Sequence, residues 1–371
     1  MGILLTLGLQ QCRQLGDNGA SISQDMQIHL QWYPAYNGES PEDVEVGLLW
    51  ILAFLGEPIT TNNYLDYMEW VEDDILLLDL TQLVTDPQRV DLWQGILTSM
   101  ERVSTDNQYH SVDVGKFVFD TFNNSATYYQ LTEMPDSLQE FKAYYNLDDN
   151  YIFAVAPGES CVAPGYRIFS CSETNSLPRL GYIAQEGDGE SIHDFVPSEF
   201  EVFGFMQNGQ PRFGVYGTDG KLRDGGDQDL TTAGKPAKCM WCHTSQVQPL
   251  IFASSTVDGY ESQDSFTTRI NQQNKLRRRY LRKQKLDFAI DSLRQHSLAE
   301  LLYVTYEYPT PQRLSAEGMT RGQIANLDFY QNEEYRFFDL VFDSMVHRNA
   351  IDPHFTESAR ETEWSEKLLS H

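Results

Sequence analysis

The chain has 371 residues, of which 41% are hydrophobic and 12% are aromatic, enough to bury a sizeable core in two domains or in one large one. Its 54 acidic residues outnumber its 27 basic residues and give a formal net charge of −27. This charge argues against binding to nucleic-acid phosphates. An acidic exterior usually serves solubility, and the functional alternative is attraction of a partner protein that presents a basic docking face.

An apolar stretch covers residues 3–9 and is followed by Cys12. The stretch is too short to span a bilayer but suits the core of a secretory signal. Leu9, three positions before Cys12, resembles the corresponding position of a bacterial lipoprotein cleavage site, in which the cysteine becomes lipid-modified. We therefore expect residues 1–12 to be a signal leader of the lipoprotein kind. A plain leader without lipid modification and the beginning of a buried strand are the alternatives. No later stretch has the length of a transmembrane helix, so no transmembrane span is expected.

The next part of the chain predicts helices. Ser40 suits an N-cap, Pro41 the first helical position and Gly56 a stop, and the enclosed residues 46–55 are apolar nearly all round, which predicts a buried helix. Residues 75–78 fit a strand or a helix equally well. Shorter helices are predicted near residues 64–71, 86–101 and 137–145.

From about residue 151 the pattern changes to strands, with runs at 151–155 and 167–171. Asn208-Gly209 separates two further runs, 200–207 and 210–216, and predicts a hairpin with a type I′ turn. Asp219-Gly220 predicts a second turn.

Cys161 and Cys171 flank a short segment that contains Pro164 and Gly165. This arrangement suits a disulfide that closes a hairpin in an oxidising compartment. Two unconnected thiols are the alternative.

Residues 239–243 read Cys-Met-Trp-Cys-His, the C-x-x-C-H spacing of covalent haem attachment. Cys239 and Cys242 could each add to a vinyl group of one haem, and His243 could ligate the iron. A chance coincidence is improbable with five Cys and eight His in the chain. A zinc site or a redox-active disulfide stays open, although zinc would need a fourth ligand and no second Cys or His pair follows at short spacing. The pattern predicts one covalently bound haem c.

The motif resembles that of the c-type cytochromes, over residues 238–250 only. The resemblance implies that Cys239 and Cys242 bind the haem and that His243 is the proximal iron ligand. It also implies that Pro249 and Leu250 help to pack and hydrogen-bond this histidine. Haem attachment of the bacterial kind takes place outside the cytoplasmic membrane, so the resemblance further implies export to the periplasm or cell envelope.

The face of the iron opposite His243 decides between functions, because a filled sixth position favours electron transfer and an open one permits binding or activation of a small molecule. In the small cytochromes the distal ligand lies downstream in a loop, and Met319 is the best match here, with a core methionine as the alternative reading. His296 is the second candidate. His347 and His354 are weaker ones.

The region after the motif predicts mainly helices, at 266–306 with a break and at 333–346. Seven basic residues lie within 275–285, on a predicted helix with an apolar edge. Some of these arginines could pair with haem propionates. A solvated basic face is the alternative.

Together these patterns predict an α+β protein with a mixed N-terminal region, antiparallel strands and a mainly helical, haem-bearing C-terminal part. We expect a leader at 1–12, an N-terminal region of unknown role at 13–195 and a haem-bearing region at 196–371. The predicted function is electron transfer by an exported mono-haem protein. A peroxidase-like or gas-binding haem protein and an envelope binding module with a structural haem are the alternatives.

Overall fold

The computed structural model describes residues 26–36, 38–60, 66–102, 104, 107–147, 152–160, 165–226, 234–243, 247–286, 293–325 and 348. The fold is α+β, as predicted, with helices and two sheets. Among the described helices, none combines the length and the hydrophobicity needed to cross a bilayer. The predicted leader at 1–12 and the predicted helix at 333–346 lie outside the described residues.

The first sheet is small and mixed, with strand order β2-β3-β1-β4. Strand β1 pairs antiparallel with β3 and parallel with β4, and β2 pairs antiparallel with β3. The ambiguous run 75–78 is therefore strand, because it lies between two partners. The bounds are β1 Gln27–Gln31, β2 Met68–Trp70, β3 Ile75–Asp79 and β4 Val112–Asp113.

The prediction of a helix near 64–71 was wrong, because Met68–Trp70 is strand β2. This short strand pairs with residues 76–78 of β3. The indole of Trp70 packs edge-on against Trp32, with 5.8 Å between ring centroids, and its Nε1 donates to Glu45 at 2.7 Å. Sheet pairing and these tertiary contacts override the weak local preference of the segment.

The predicted buried helix is α1, Pro41–Phe54, and its signals act as expected. The hydroxyl of Ser40 accepts from the backbone N–H of Asp43, and the Asp43 carboxylate accepts from the backbone N–H of Ser40. After the helix, Gly56 has a positive φ of +101°. Most of the helix is buried, which explains why it lacks a polar face.

The predicted helices near 86–101 and 137–145 are also confirmed. They form with Asp86 and Ser137 as side-chain N-caps. The helices of this region are α2 Pro87–Glu101, α3 Val114–Asn123, α4 Ser125–Leu131 and α5 Leu138–Tyr145.

The second sheet is an antiparallel meander in the order β5-β6-β7-β8-β9. The strand runs predicted at 151–155, 167–171, 200–207 and 210–216 all contribute to it. Its strands are β5 Phe153–Val155, β6 Tyr166–Cys171, β7 Gly181–Asp188, β8 Val196–Phe205 and β9 Pro211–Gly217.

The turn between β8 and β9 differs from the predicted type I′ turn. Gly209 has a positive φ of +77°, but Asn208 does not, and a type I′ turn needs both. The amide of Asn208 instead donates to the carbonyl oxygens of Ala53 at 2.6 Å and Glu57 at 3.0 Å. The side chain thus ties the hairpin to the end of α1, a long-range contact that local turn rules do not contain. The predicted turn at Asp219-Gly220 is confirmed, with Gly220 at φ +75°.

After the second sheet the described chain is mainly helical, and the break predicted within 266–306 is present where one helix ends at Gln284 and Lys285 takes the left-handed conformation. Helix α8 packs on α1 and α3 at two glycines. A Cβ at Gly47 would lie 3.0 Å from Leu302, and one at Gly115 would lie 2.8 Å from both the Leu302 oxygen and Tyr306. These elements are α6 Met240–His243, α7 Gln263–Gln284, α8 Leu293–Glu307, α9 Pro311–Ala316 and α10 Arg321–Ala325.

One hydrophobic cluster runs through both sheets, α1 and α8. The region boundary expected between residues 195 and 196 falls in the loop between β7 and β8, which pair along their length. Residues on both sides of it therefore share one core.

Candidate functional site

The C-x-x-C-H motif forms one helical turn, with the two cysteines and the histidine on one face and Met240 off that face. A 3₁₀ turn, Pro236–Cys239, runs directly into α6. Helical spacing places Cys242 and His243 three and four residues after Cys239, so all three lie on one face. Met240 lies off this face and is fully buried in the core.

A cavity of about 200 Å³ lies beside this face and is lined by Cys239, Cys242 and His243. Its other walls come from β6 to β9, from residues 247–251 and from α7. The lining side chains are mainly aliphatic and aromatic, among them Phe169, Tyr182, Val202, Phe203, Phe213, Val215, Leu250, Ile251, Phe266 and Ile270. An apolar cavity with few polar groups is typical of a cofactor or ligand site.

The sheet wall of the cavity follows from strand register. Phe213 lies opposite Phe203, and Phe203 lies opposite Tyr182, so three aromatic side chains form one cross-strand row. The next row on the same face contains Val215 and Glu201, which also lie opposite each other. The wall therefore combines an aromatic row with a carboxylate.

His243 lies against this wall as a neutral imidazole. Its ring is 5.7 Å from that of Phe203 and 5.5 Å from that of Phe213, measured between centroids. Burial, assisted by the positive charge of Arg167, lowers the pKa of His243 to about 4. The ring is thus unprotonated at neutral pH, the state in which imidazole ligates iron.

The buried Nδ1 atom of His243 has no hydrogen-bond partner among the described residues. Pro249 and Leu250 line the same cavity as His243. Their packing against this histidine, which the cytochrome resemblance implies, stays a prediction. The implied hydrogen bond to this histidine is not present within the described part of the chain. An unsatisfied buried nitrogen on a neutral imidazole fits a residue whose partner is a bound group.

The two motif cysteines differ in environment. Cys239 is partly buried, and burial, with a smaller contribution from the Glu201 charge, raises the pKa of its thiol well above the usual value. Cys242 is exposed, and neither cysteine is in a disulfide.

The described residues contain no group of three or more His, Cys, Asp and Glu side chains arranged to hold a metal ion. Cys239, Cys242 and His243 line one cavity, but they are not arranged around a common point as zinc ligands would be. Their position on one face of the motif turn, together with the neutral imidazole of His243, suits a haem with two thioether links and one imidazole ligand.

His296, the second candidate for the distal ligand, contacts the motif from within α8. Its Nε2 lies 2.8 Å from the backbone oxygen of Met240, and its ring packs edge-on against Trp50 at 5.3 Å between centroids. It is not among the residues that line the cavity. The structure thus places His296 as a support for the motif helix.

Met319 is buried in the segment between α9 and α10, where its backbone N–H donates to the oxygen of Leu314 at 2.9 Å. It does not line the cavity. The structure therefore brings Cys239, Cys242 and His243 together but does not bring Met319 to them. His347 and His354 lie outside the described residues.

The basic stretch 275–285 forms the second half of α7, and none of its residues lines the cavity. Arg277 is buried, and its Nε donates to the oxygen of Gly209 at 3.1 Å.

The cation at the cavity is instead Arg167 on β6, which the sequence reasoning did not single out. Its signal was a charged residue at the start of the predicted strand run 167–171, two positions before Phe169 and therefore on the same strand face.

The other cysteine predictions lie largely outside the described residues. Cys12 and Cys161 are both outside them. Cys171 is described as a buried free thiol, with the amide of Gln273 at 3.8 Å. The bridge between Cys161 and Cys171 stays a prediction.

Comparison with known proteins gave no match: no protein-family model, no curated protein and no solved structure is similar to this chain.

Proposed function

We propose that the chain binds one haem c covalently through Cys239 and Cys242, with His243 as the proximal iron ligand, and that it transfers electrons. The observation that carries this proposal is the common face of the motif turn. Three residues with the chemistry of haem attachment point into one apolar cavity, and the imidazole among them is neutral and lacks a partner for Nδ1.

The surrounding side chains suit such a site. Phe203 and Phe213 hold the His243 ring and exclude water from one side of it. A bound haem supplies a one-electron couple at its iron. The cavity of about 200 Å³ is below the roughly 300–1,000 Å³ of common ligand clefts, so we expect it to widen when haem is attached.

We further propose that the protein works in the periplasm or cell envelope, where haem is attached, and that Cys12 carries a lipid anchor. The redox partner would present a basic face to this acidic protein. The net charge of −27 supports the choice of a basic partner.

The first prediction concerns attachment. Cys239→Ala combined with Cys242→Ala removes both thioether links, so haem staining after denaturing electrophoresis should be lost from a chain produced with a haem-attachment system. Cys171→Ala is the matched control, because it removes a buried thiol outside the motif and should leave the stain. Staining of the double variant at the control level would sink the proposal.

A second candidate function is a haem enzyme or gas-binding protein with an open sixth position. Two observations favour it: Met319 does not line the cavity, whereas Arg167 and Glu201 do. A cation and a carboxylate beside iron are groups that can bind or protonate a small ligand.

The second prediction separates the two functions. If Met319 is the distal ligand, the reduced protein should be low-spin and bind CO poorly, and Met319→Ala should make CO binding rapid. Met240→Ala removes a buried methionine from the other side of the motif and is the control. Avid CO binding by the unaltered protein, or a spectrum that Met319→Ala leaves unchanged, would reject Met319 as ligand. Avid CO binding would in addition favour the open-site function.

A further inference from the structure

Four charged side chains meet on one face of the second sheet, at the edge of the cavity. Arg167 on β6 lies opposite Glu186 on β7, which in turn lies opposite Glu199 on β8. The guanidinium Nη2 of Arg167 bonds Glu186 and also Glu201, the latter at 2.8 Å. Its Nη1 donates to the hydroxyl of Ser160 at 3.1 Å. Two carboxyls, Glu186 and Glu201, therefore share one cation, and Glu199 lies beside them on the same sheet face.

This cluster is too acidic to be fully ionised. Glu186 is completely buried, and Glu199 and Arg167 are 6% and 5% exposed. Like charges directly opposite each other on a sheet are destabilising, and a buried carboxylate without its own cation is costly. Burial, together with the neighbouring Glu201, raises the pKa of Glu186 well above the usual value, although Arg167 acts in the opposite direction. Oε2 of Glu186 has no hydrogen-bond partner in the described structure.

The cluster is connected to the haem motif through the cavity. Arg167 and Glu201 both line it together with His243, whereas Glu186 lies behind them. Arg167 contributes to the lowered pKa of His243, and Glu201 contributes to the raised pKa of Cys239. A change of charge at the motif therefore changes the proton affinity of the cluster. In the same way, a change of charge in the cluster changes the electrostatic potential at the motif.

The geometry points to Glu186, Glu201 and Arg167 as a proton site linked to the redox state of the motif, an inference that rests on the proposed function. When a one-electron donor protein reduces the site, its positive charge falls by one and the Glu186–Glu201 pair takes up one proton from solvent. On oxidation the electron leaves to an acceptor and the proton returns to solvent. Glu201 is the exit for this proton, because it joins the buried Glu186 to the cavity.

The sign of the effect follows from charge. The oxidised site favours the ionised pair, and the reduced site favours the protonated pair. Among the described residues, the charged or titratable groups near the pair are Arg167 from β6, Tyr182 from β7, Glu199 from β8 and the motif residues Cys239, Cys242 and His243. None of these groups changes its charge when the pair gains or loses its proton. Proton uptake therefore accompanies reduction, and the reduction potential should fall as pH rises.

The test is a potentiometric titration of the haem-loaded protein from mildly acidic to mildly alkaline pH. One proton per electron gives a slope of about 59 mV per pH unit within the window where the pair titrates. Glu201→Gln should flatten this slope, and Glu186→Gln should do the same. Glu190→Gln, an exposed position in the β7–β8 loop, removes the same charge and should leave the slope intact.

Infrared difference spectra between the oxidised and reduced protein provide a second readout. They should contain a protonated-carboxyl band that Glu201→Gln abolishes and Glu190→Gln retains. Because Glu201 is at the cavity edge, this variant keeps the test informative if Glu186→Gln fails to fold. A haem-loaded protein with a pH-independent potential overturns the proton site alone. A protein without covalent haem, read by staining, overturns the proposed function and this inference together.

Discussion

Burial sets the charge of the titratable side chains next to the haem motif. It lowers the pKa of His243 and of His296, and it raises the pKa of Glu300 to about 7. Glu300 lies one turn after His296 on α8, with its Oε2 3.9 Å from Nδ1 of that histidine. Near neutral pH, His296 is thus uncharged and Glu300 is only partly ionised.

The third prediction follows from Glu300. Its pKa rises on folding from 4.5 to about 7, so between these values the folded chain keeps a proton that the unfolded chain has lost. The free energy of unfolding therefore falls as pH rises through this window and levels off above it. Glu300→Gln removes the penalty and should stabilise the protein by about 1–3 kcal/mol above neutral pH, with little gain in the acid.

Urea denaturation at an acidic and at an alkaline pH measures this effect. Glu101→Gln, at an exposed position in the last turn of α2, is the control and should show no such difference. An equal effect of Glu300→Gln at both pH values would contradict the assignment.

Individual elements were predictable where several local signals agree. In α1 the cap at Ser40, the proline at Pro41 and the apolar run all indicate the same helix, and it forms as predicted. Strand β2 has no such agreement, and its pairing with β3 decides its structure. At Asn208 the local turn signal was present but the side chain is used for a contact with α1.

The fourth prediction concerns the packing of α8. Gly115→Ala would place a Cβ 2.8 Å from the Leu302 oxygen and from Tyr306, so α8 must shift at a cost of about 1–3 kcal/mol. Gly95→Ala in α2 meets nothing within 4 Å and should gain about 0.5–1 kcal/mol, because alanine is the better helix former. Thermal unfolding of the two variants checks the pair. Equal shifts in the same direction would show that the close approach at Gly115 has no energetic weight.

The whole site required long-range structure that the sequence alone does not contain. The motif at 239–243 is local, so its residues could be named in advance. The cavity walls come from four strands and from α7, and Arg167 meets Glu186 and Glu201 only through the pairing of β6, β7 and β8. The spacing of these residues along the chain carries no sign of that register.

The fifth prediction follows from the charge of the whole molecule. With a net charge of −27, the reduced protein should react faster with a cationic oxidant, and added salt should slow this reaction through screening. Tris(phenanthroline)cobalt(III) serves as the cationic probe. Hexacyanoferrate(III) is the control, and its reaction should accelerate with salt. Stopped-flow rates with no salt dependence of either sign would mean that net charge does not steer encounter at this site.

The most direct measurement of the central claim is the mass of the intact, denatured protein after production with a haem-attachment system, followed by mapping of the peptide that contains residues 239–243. We predict that the mass increases by one haem and that the haem is on this peptide, with links at both Cys239 and Cys242. A chain without added haem mass, or a haem found on another peptide, would contradict it.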